Sequence, residues 1–151
     1  MSVLVKDLMW SEPPMVSPDA TLKEAAAKMT EVDCGVLPVG TGSKVEGIIT
    51  DRDIVVRAIS KGKDPSREKA SDFMTPDLYS CKESDTIGSA AELMKQNKVS
   101  RLIVMNGMNK FSGILSFGHI FRNDANVKEI TDIITQVANR NNKDNSAGIS
   151  T

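Results

Sequence analysis

Gly47-Ile48-Ile49-Thr50-Asp51-Arg52-Asp53-Ile54-Val55 is the stretch from which the rest of the chain can be read. Ile48 and Ile49 are strand formers. Thr50 falls where a helix N-cap falls, Asp53 follows three residues on, and Ile54 to Ile59 continue as a helix. Both polar side chains project from the helix start, where free backbone N–H groups also point. Two readings of the pair stand side by side. A hydroxyl, a carboxylate and a set of orphan donors suit a sugar and its phosphate. Thr-x-x-Asp before an apolar run is also close to a capping box, in which each side chain satisfies the other's backbone N–H.

Outward from this stretch, Gly35-Val36-Leu37-Pro38-Val39 reads as a strand, Gly40 to Lys44 as a tight turn, and Val45 to Thr50 as the returning strand of a hairpin. Pro38 places its strand near an edge or at an interruption of the ladder. Gly40-Thr41-Gly42 joins two strands and opens no helix, so it is not a phosphate loop. Upstream, Thr21 with Glu24 starts a helix over 21–31, with Leu22, Ala25, Ala26 and Met29 at helical spacing. Val3 and Val5 lead in as a short strand.

The same order then returns. Asp72-Phe73-Met74 repeats Asp7-Leu8-Met9, and Thr86-Ile87 repeats Thr21-Leu22 at an offset of 65. Arg101 to Val104 repeat Val36 to Val39 at that offset. Gly113-Ile114-Leu115-Ser116 repeat Gly47 to Thr50 at 66, a one-residue insertion in the hairpin turn. Self-similarity at a fixed period implies stacked structural units. The expected organisation is a first unit over 1–60, a linker over 61–71, a second unit over 72–123, a C-terminal helix over 124–140 and a disordered tail over 141–151. Val127, Ile130, Ile133, Ile134 and Val137 give that last helix an apolar face.

Composition narrows the function classes. At 151 residues with a net charge of −1, the chain is one domain long and unsuited to a dedicated nucleic-acid surface. No run approaches the ~18 apolar residues of a membrane span, and no secretory leader is legible at Met1–Asp7, so a cytoplasmic location is expected by default. Cys34 and Cys81 are isolated and read as small core residues. With one histidine they make no standard zinc site.

Two units that each end in the pattern Gly-hydrophobic-hydrophobic-Thr/Ser-x-x-Asp, from which the second departs at His119, resemble a pair of CBS domains, a Bateman module, over about residues 1–123. The resemblance implies an α+β fold: tandem βαββα repeats packed with pseudo-two-fold symmetry, plus the C-terminal helix. It implies a regulatory sensor and not an enzyme, binding AMP, ADP, ATP or S-adenosylmethionine in a cleft between the units, with no catalytic residue, metal or resident cofactor. Carried onto this sequence, the first cleft uses Thr50 and Asp53 for the ribose. Arg101 faces the phosphates, Tyr79 and Ile103 flank the adenine, and Asp77, Ser80 and Ser100 lie on the contributing strands. Each has a plainer alternative, core packing for Tyr79 and Ile103 and a solvated edge charge for Arg101. The second, weaker cleft uses Ser116 and His119 with Pro14, Gly35, Val36 and Pro38. There His119 stands where the carboxylate belongs, and a neutral imidazole cannot accept from both ribose hydroxyls. Ser116 with His119 lacks the orienting acid and oxyanion turn of a hydrolase.

The resemblance also implies a homodimer and leaves room for an unknown effector protein. The competing function is a ligand-free dimerisation or partner-docking scaffold. Its motivation is the helix Ile54 to Ile59, which is apolar around more of its circumference than one core contact requires.

Overall fold

The computed structural model describes residues 3–76 and 78–122, together with 128, 131, 132, 135, 136 and 139. In chain order the elements are α1 (Val5–Leu8), β1 (Trp10–Ser11), α2 (Leu22–Val32), β2 (Val36–Thr41) and β3 (Lys44–Thr50). A π-helix (Asp53–Ala58) and a 3-10 turn (Ile59–Lys61) follow. Then come α3 (Ala70–Phe73), β4 (Ser80–Lys82), α4 (Ile87–Gln96), β5 (Arg101–Met105), β6 (Phe111–Ser116) and α5 (Phe117–Arg122).

Local chemistry explains most boundaries. Thr21 Oγ1 accepts from Glu24 N–H at 3.1 Å and Glu24 Oε2 from Thr21 N–H at 3.1 Å, a capping box worth about 1 kcal/mol. Thr86 Oγ1 caps α4 in the same way, accepting from Ser89 N–H at 3.1 Å. The lead-in differs from the sequence expectation. Val5 begins a helical turn and not a strand, because Asp7 Oδ2 turns back to accept from Leu4 N–H at 3.0 Å. The expected helix after Thr50 is present, but its bonds run i to i+5 over Asp53–Ala58. The apolar stripe expected at Val127, Ile130, Ile133, Ile134 and Val137, like the tail over 141–151, lies outside the described residues. Described positions between them, Lys128 to Asn139, are helical and exposed.

The chain forms two compact units, Glu12–Leu78 and Met1–Ser11 with Tyr79–Thr151. They are out of phase with the sequence repeat, because the lead segments are exchanged. In the unit Glu12–Leu78, Ile48 pairs antiparallel with Thr75, Val16 pairs parallel with Val39, and Thr21 pairs with Lys69. In the other unit the equivalents are Ile114 with Trp10, Cys81 with Val104, and Thr86 with Leu4. Every one of these pairs is carried onto its counterpart by the repeat offset, and in two of the three, Ile48–Thr75 with Trp10–Ile114 and Thr21–Lys69 with Leu4–Thr86, the lead segment is taken from outside the repeat that it joins.

Glycine makes the exchange possible. A Cβ on Gly47 would stand 2.7 Å from Met74 Sδ and 2.9 Å from Thr75 O; one on Gly113 would stand 2.6 Å from Trp10 O and 3.0 Å from Met9 Sδ. Only a residue without Cβ lets the lead backbone lie this close. The stretch 62–69 has little regular structure but is not loose, since Leu22 N–H bonds Glu68 O at 2.9 Å and Ala70 N–H bonds Ala20 O at 2.8 Å.

The sheet of the second unit runs β1-β6-β5-β4. Its core joins Val5, Leu8, Ile87, Ala90, Met94, Leu102, Val104, Leu115 and Ile120. Because side chains alternate along a strand, residues 102, 104 and 115 take this face and 101, 103, 114 and 116 take the other. The two-stranded sheet β2-β3 divides likewise. Leu37, Val39 and Ile49 are fully buried on one face, and Val36, Pro38 and Thr50 lie on the other.

Gly113→Ala is expected to lower unfolding free energy by roughly 1–3 kcal/mol, since the obstructing atom is a backbone oxygen. Gly107→Ala, with open space at its Cβ, should stay within about 0.5 kcal/mol of the parent protein. Urea denaturation of both variants measures the contrast.

Candidate functional site

The geometry of Thr50 and Asp53 meets the capping-box reading. Thr50 ends β3 and Asp53 opens the π-helix. Asp53 Oδ2 accepts from Thr50 N–H at 3.0 Å, and Thr50 Oγ1 accepts from Asp53 N–H at 3.0 Å. The capping box is therefore formed, and both residues are buried, at 7% and 9% exposure. It does not exhaust either side chain. The Thr50 hydroxyl keeps its hydrogen, and Asp53 Oδ1 accepts no hydrogen bond among the described residues. Oδ1 instead faces the Arg57 guanidinium at 3.8 Å.

Arg57 escaped the sequence reading. Its NH1 donates to Phe73 O at 2.7 Å and reaches Met74 O at 3.4 Å, so it ties the π-helix to the exchanged lead segment. The acid-to-base i, i+4 spacing was the available signal, but the carbonyl partners lie 16 and 17 residues away.

Four second-set residues share this unit. Val36 is the register partner of Thr50, and Pro38 that of Ile48. Gly35 O accepts from Asp51 N–H at 2.9 Å, and a Cβ there would meet the carboxylate end of the exposed Asp51 side chain. Pro14 is half-buried in the segment before Val16. Pro38 offers no donor, and its carbonyl accepts from Val16 N–H at 2.8 Å.

The other unit gathers Ser80, Arg101, Ile103 and Ser116 on one sheet face. Ser80 pairs with Ile103, and Arg101 lies opposite Ser116. Tyr79 O accepts from Ile103 N–H at 2.9 Å, and the Tyr79 side chain is 41% exposed. Ile103 is buried, on the face opposite the main core. Arg101 NH1 donates to the exposed Ser100 hydroxyl at 3.3 Å. Arg101 Nε is buried with no hydrogen-bond partner among the described residues. A half-buried guanidinium with an unanswered donor is not the solvated edge charge of the plainer reading, and an orphan of this kind asks for an explanation. Asp77 lies outside the described residues. His119 is the third residue of α5, and its side chain lies outside them too.

Elsewhere a cavity of about 210 Å³ opens beside α4, lined by Cys81, Asp85, Ser89, Glu92, Leu93 and Gln96. None of the sequence-selected residues lines it. Among the described residues no three His, Cys, Asp or Glu side chains gather as a metal-binding group, and no helix is long and apolar enough to cross a membrane.

The CBS domain model matches residues 5–59 and 70–126, and the chain belongs to the CBS-domain family as a tandem pair of α+β repeats. It is 30% identical over 137 residues to the CBS domain-containing protein YhcV of Bacillus subtilis, covering 91% of this chain and 96% of that one. Among solved structures it is similar to Hypoxic Response Protein I with two coordinated zinc ions, at 29% identity and a TM-score of 0.68, over 80% of this chain and 98% of that one. It is also similar to CBSX2 in complex with AMP, at 26% identity and a TM-score of 0.66, over 83% of this chain and 98% of that one.

The Cys81 thiol is pushed up to about 12 from 9.0, by burial first and by the Asp85 charge second. The folded chain thus keeps a proton that the unfolded chain releases above pH 9. That contribution to stability is complete below pH 9 and is lost as pH rises toward 12. Cys81→Ala should flatten the decline in urea midpoint between pH 9 and 11, relative to the parent protein.

Proposed function

We propose that the chain is a regulatory module that senses an adenosine-containing ligand (AMP, ADP, ATP or S-adenosylmethionine) and carries no catalytic machinery of its own. The observation that carries this reading is the Thr50–Asp53 pair. It forms its box and still keeps a hydroxyl hydrogen and a carboxylate oxygen for a ribose diol. A carboxylate can accept from two vicinal hydroxyls, which a neutral imidazole cannot do. In the other unit Arg101, with a buried donor unanswered and Ser100 beside it, is a separate candidate for an anionic group. Tyr79, Ser80 and Ile103 lie with Arg101 in that same unit. The AMP complex of CBSX2 supports the same ligand class. Ser116 with His119 carries no equivalent carboxylate, so this second site contributes weakly.

Ligand at about 100 times its dissociation constant adds about 2.7 kcal/mol to stability. For a chain of this length the melting temperature should rise by roughly 5–10 °C. A thermal scan against AMP, ADP, ATP and S-adenosylmethionine reads it. Asp53→Ala should abolish the shift and His119→Ala should leave it. No shift with any of the four sinks the reading.

A homodimer forms the second part of the proposal. Val55, Val56 and Ile59 stand 58%, 43% and 49% exposed on consecutive turns of one helical segment. Three aliphatic side chains in water form a patch that a second copy would cover. Val55→Asp with Ile59→Asp should halve the mass seen by light scattering; an unchanged mass places any self-association elsewhere.

A further inference from the structure

Asp53 must be held without being used up if it is to grip a diol, and the structure contains a device with that property. Thr50 N–H takes Oδ2 at 3.0 Å and fixes one end of the carboxylate. The other end faces Arg57 NH1 at 3.8 Å, close enough for attraction and too far for a hydrogen bond. The hydrogens of that nitrogen are directed at Phe73 O, 2.7 Å away, and Met74 O, 3.4 Å away. The guanidinium is therefore pinned by backbone carbonyls and presents its charge, but not its hydrogens, to Oδ1. A planar, permanently charged group suits this; a flexible ammonium would swing onto the carboxylate and occupy it. The Asp53 side chain is 12% exposed and that of Arg57 is 48% exposed, so the pair sits at the rim of the buried box.

We propose that Arg57 is a positioning residue for the ligand-binding carboxylate. It aims Asp53 Oδ1 electrostatically while leaving its lone pairs open to a vicinal diol. The inference rests on the adenosine reading above and deepens it. It assigns the selectivity for an intact ribose to three residues acting together, Thr50, Asp53 and Arg57. Arg57 touches no ligand in this scheme. Its contribution is confined to that part of the binding that depends on the 2′ and 3′ hydroxyls.

The test compares AMP with 2′,3′-dideoxy-AMP by calorimetry on the full chain and on Arg57→Met. The parent protein should prefer AMP by at least about tenfold, the effect of one well-made charge-assisted hydrogen bond. In Arg57→Met that preference should collapse toward unity through weaker AMP binding, with dideoxy-AMP affinity unchanged. Equal loss for both ligands would mean that Arg57 serves the fold alone and overturns the proposal, as would an undiminished preference. Should Arg57→Met fail to fold, Arg57→Lys takes its place: a preference reduced or lost supports the assignment, since the ammonium would occupy the carboxylate, and a parental one overturns it. A parent protein that binds AMP without preference also overturns it, yet leaves the adenosine reading standing. A parent protein that binds neither ligand removes both.

Discussion

Two glycines carry the architecture. Gly47 and Gly113 each allow a foreign stretch of backbone to approach their strand closely, and that approach fixes which segments belong together. Any Cβ there meets a carbonyl oxygen or a methionine sulfur inside 3.0 Å or at it. Such contacts cannot be relieved by a side-chain rotation when the obstructing atom is main chain. The hairpins β2-β3 and β5-β6 are thereby completed by residues from the opposite repeat. Each helix-capping threonine follows at the position that this pairing sets, with Thr21 opposite Lys69 and Thr86 opposite Leu4.

In the turn after β3 the proposed recognition would use the same side chains that stabilise the helix start. A capping box needs one oxygen from each partner. Thr50 and Asp53 possess more than that, and the spare Asp53 oxygen, Oδ1, faces Arg57. Capping supplies the rigidity that a binding group needs, because a carboxylate already ordered loses little entropy when a ligand arrives. The corresponding turn after β6 keeps the hydroxyl, at Ser116, but sets His119 in place of the acid, so the repeat preserves the scaffold and alters the chemistry.

Much of this was legible in the sequence because the determining signals were local. Thr21 with Glu24, Thr50 with Asp53 and the hairpin glycines all lie within a few residues of the features they control, and the return of Thr21 as Thr86 after 65 residues and of Gly47 and Thr50 as Gly113 and Ser116 after 66 made the fold class readable. The alternation of β5 likewise gave Arg101 and Ile103 a common face. What escaped was non-local or competitive. Val3 and Val5 suggest a strand, yet the Asp7 carboxylate turns the chain into a helix by answering Leu4 N–H. The exchange of lead segments leaves no periodic trace, since either repeat could have satisfied its own hairpin. Arg57 could be paired with Asp53 from spacing, but not with carbonyls so distant in the chain. The π register of its helix has no signature in a run of Ile, Val and Ala.

The exchanged ends have a consequence for dissecting the molecule. A fragment ending at residue 60 retains Gly47 but forfeits Met74 and Thr75, while its own Met9 and Trp10 are left without Gly113. The complementary fragment suffers the reciprocal loss. Neither half is then a self-sufficient folding unit, although each carries one whole copy of the duplicated sequence. Mixed together, the two fragments hold the missing segment each for the other, so their natural behaviour is reassembly by complementation.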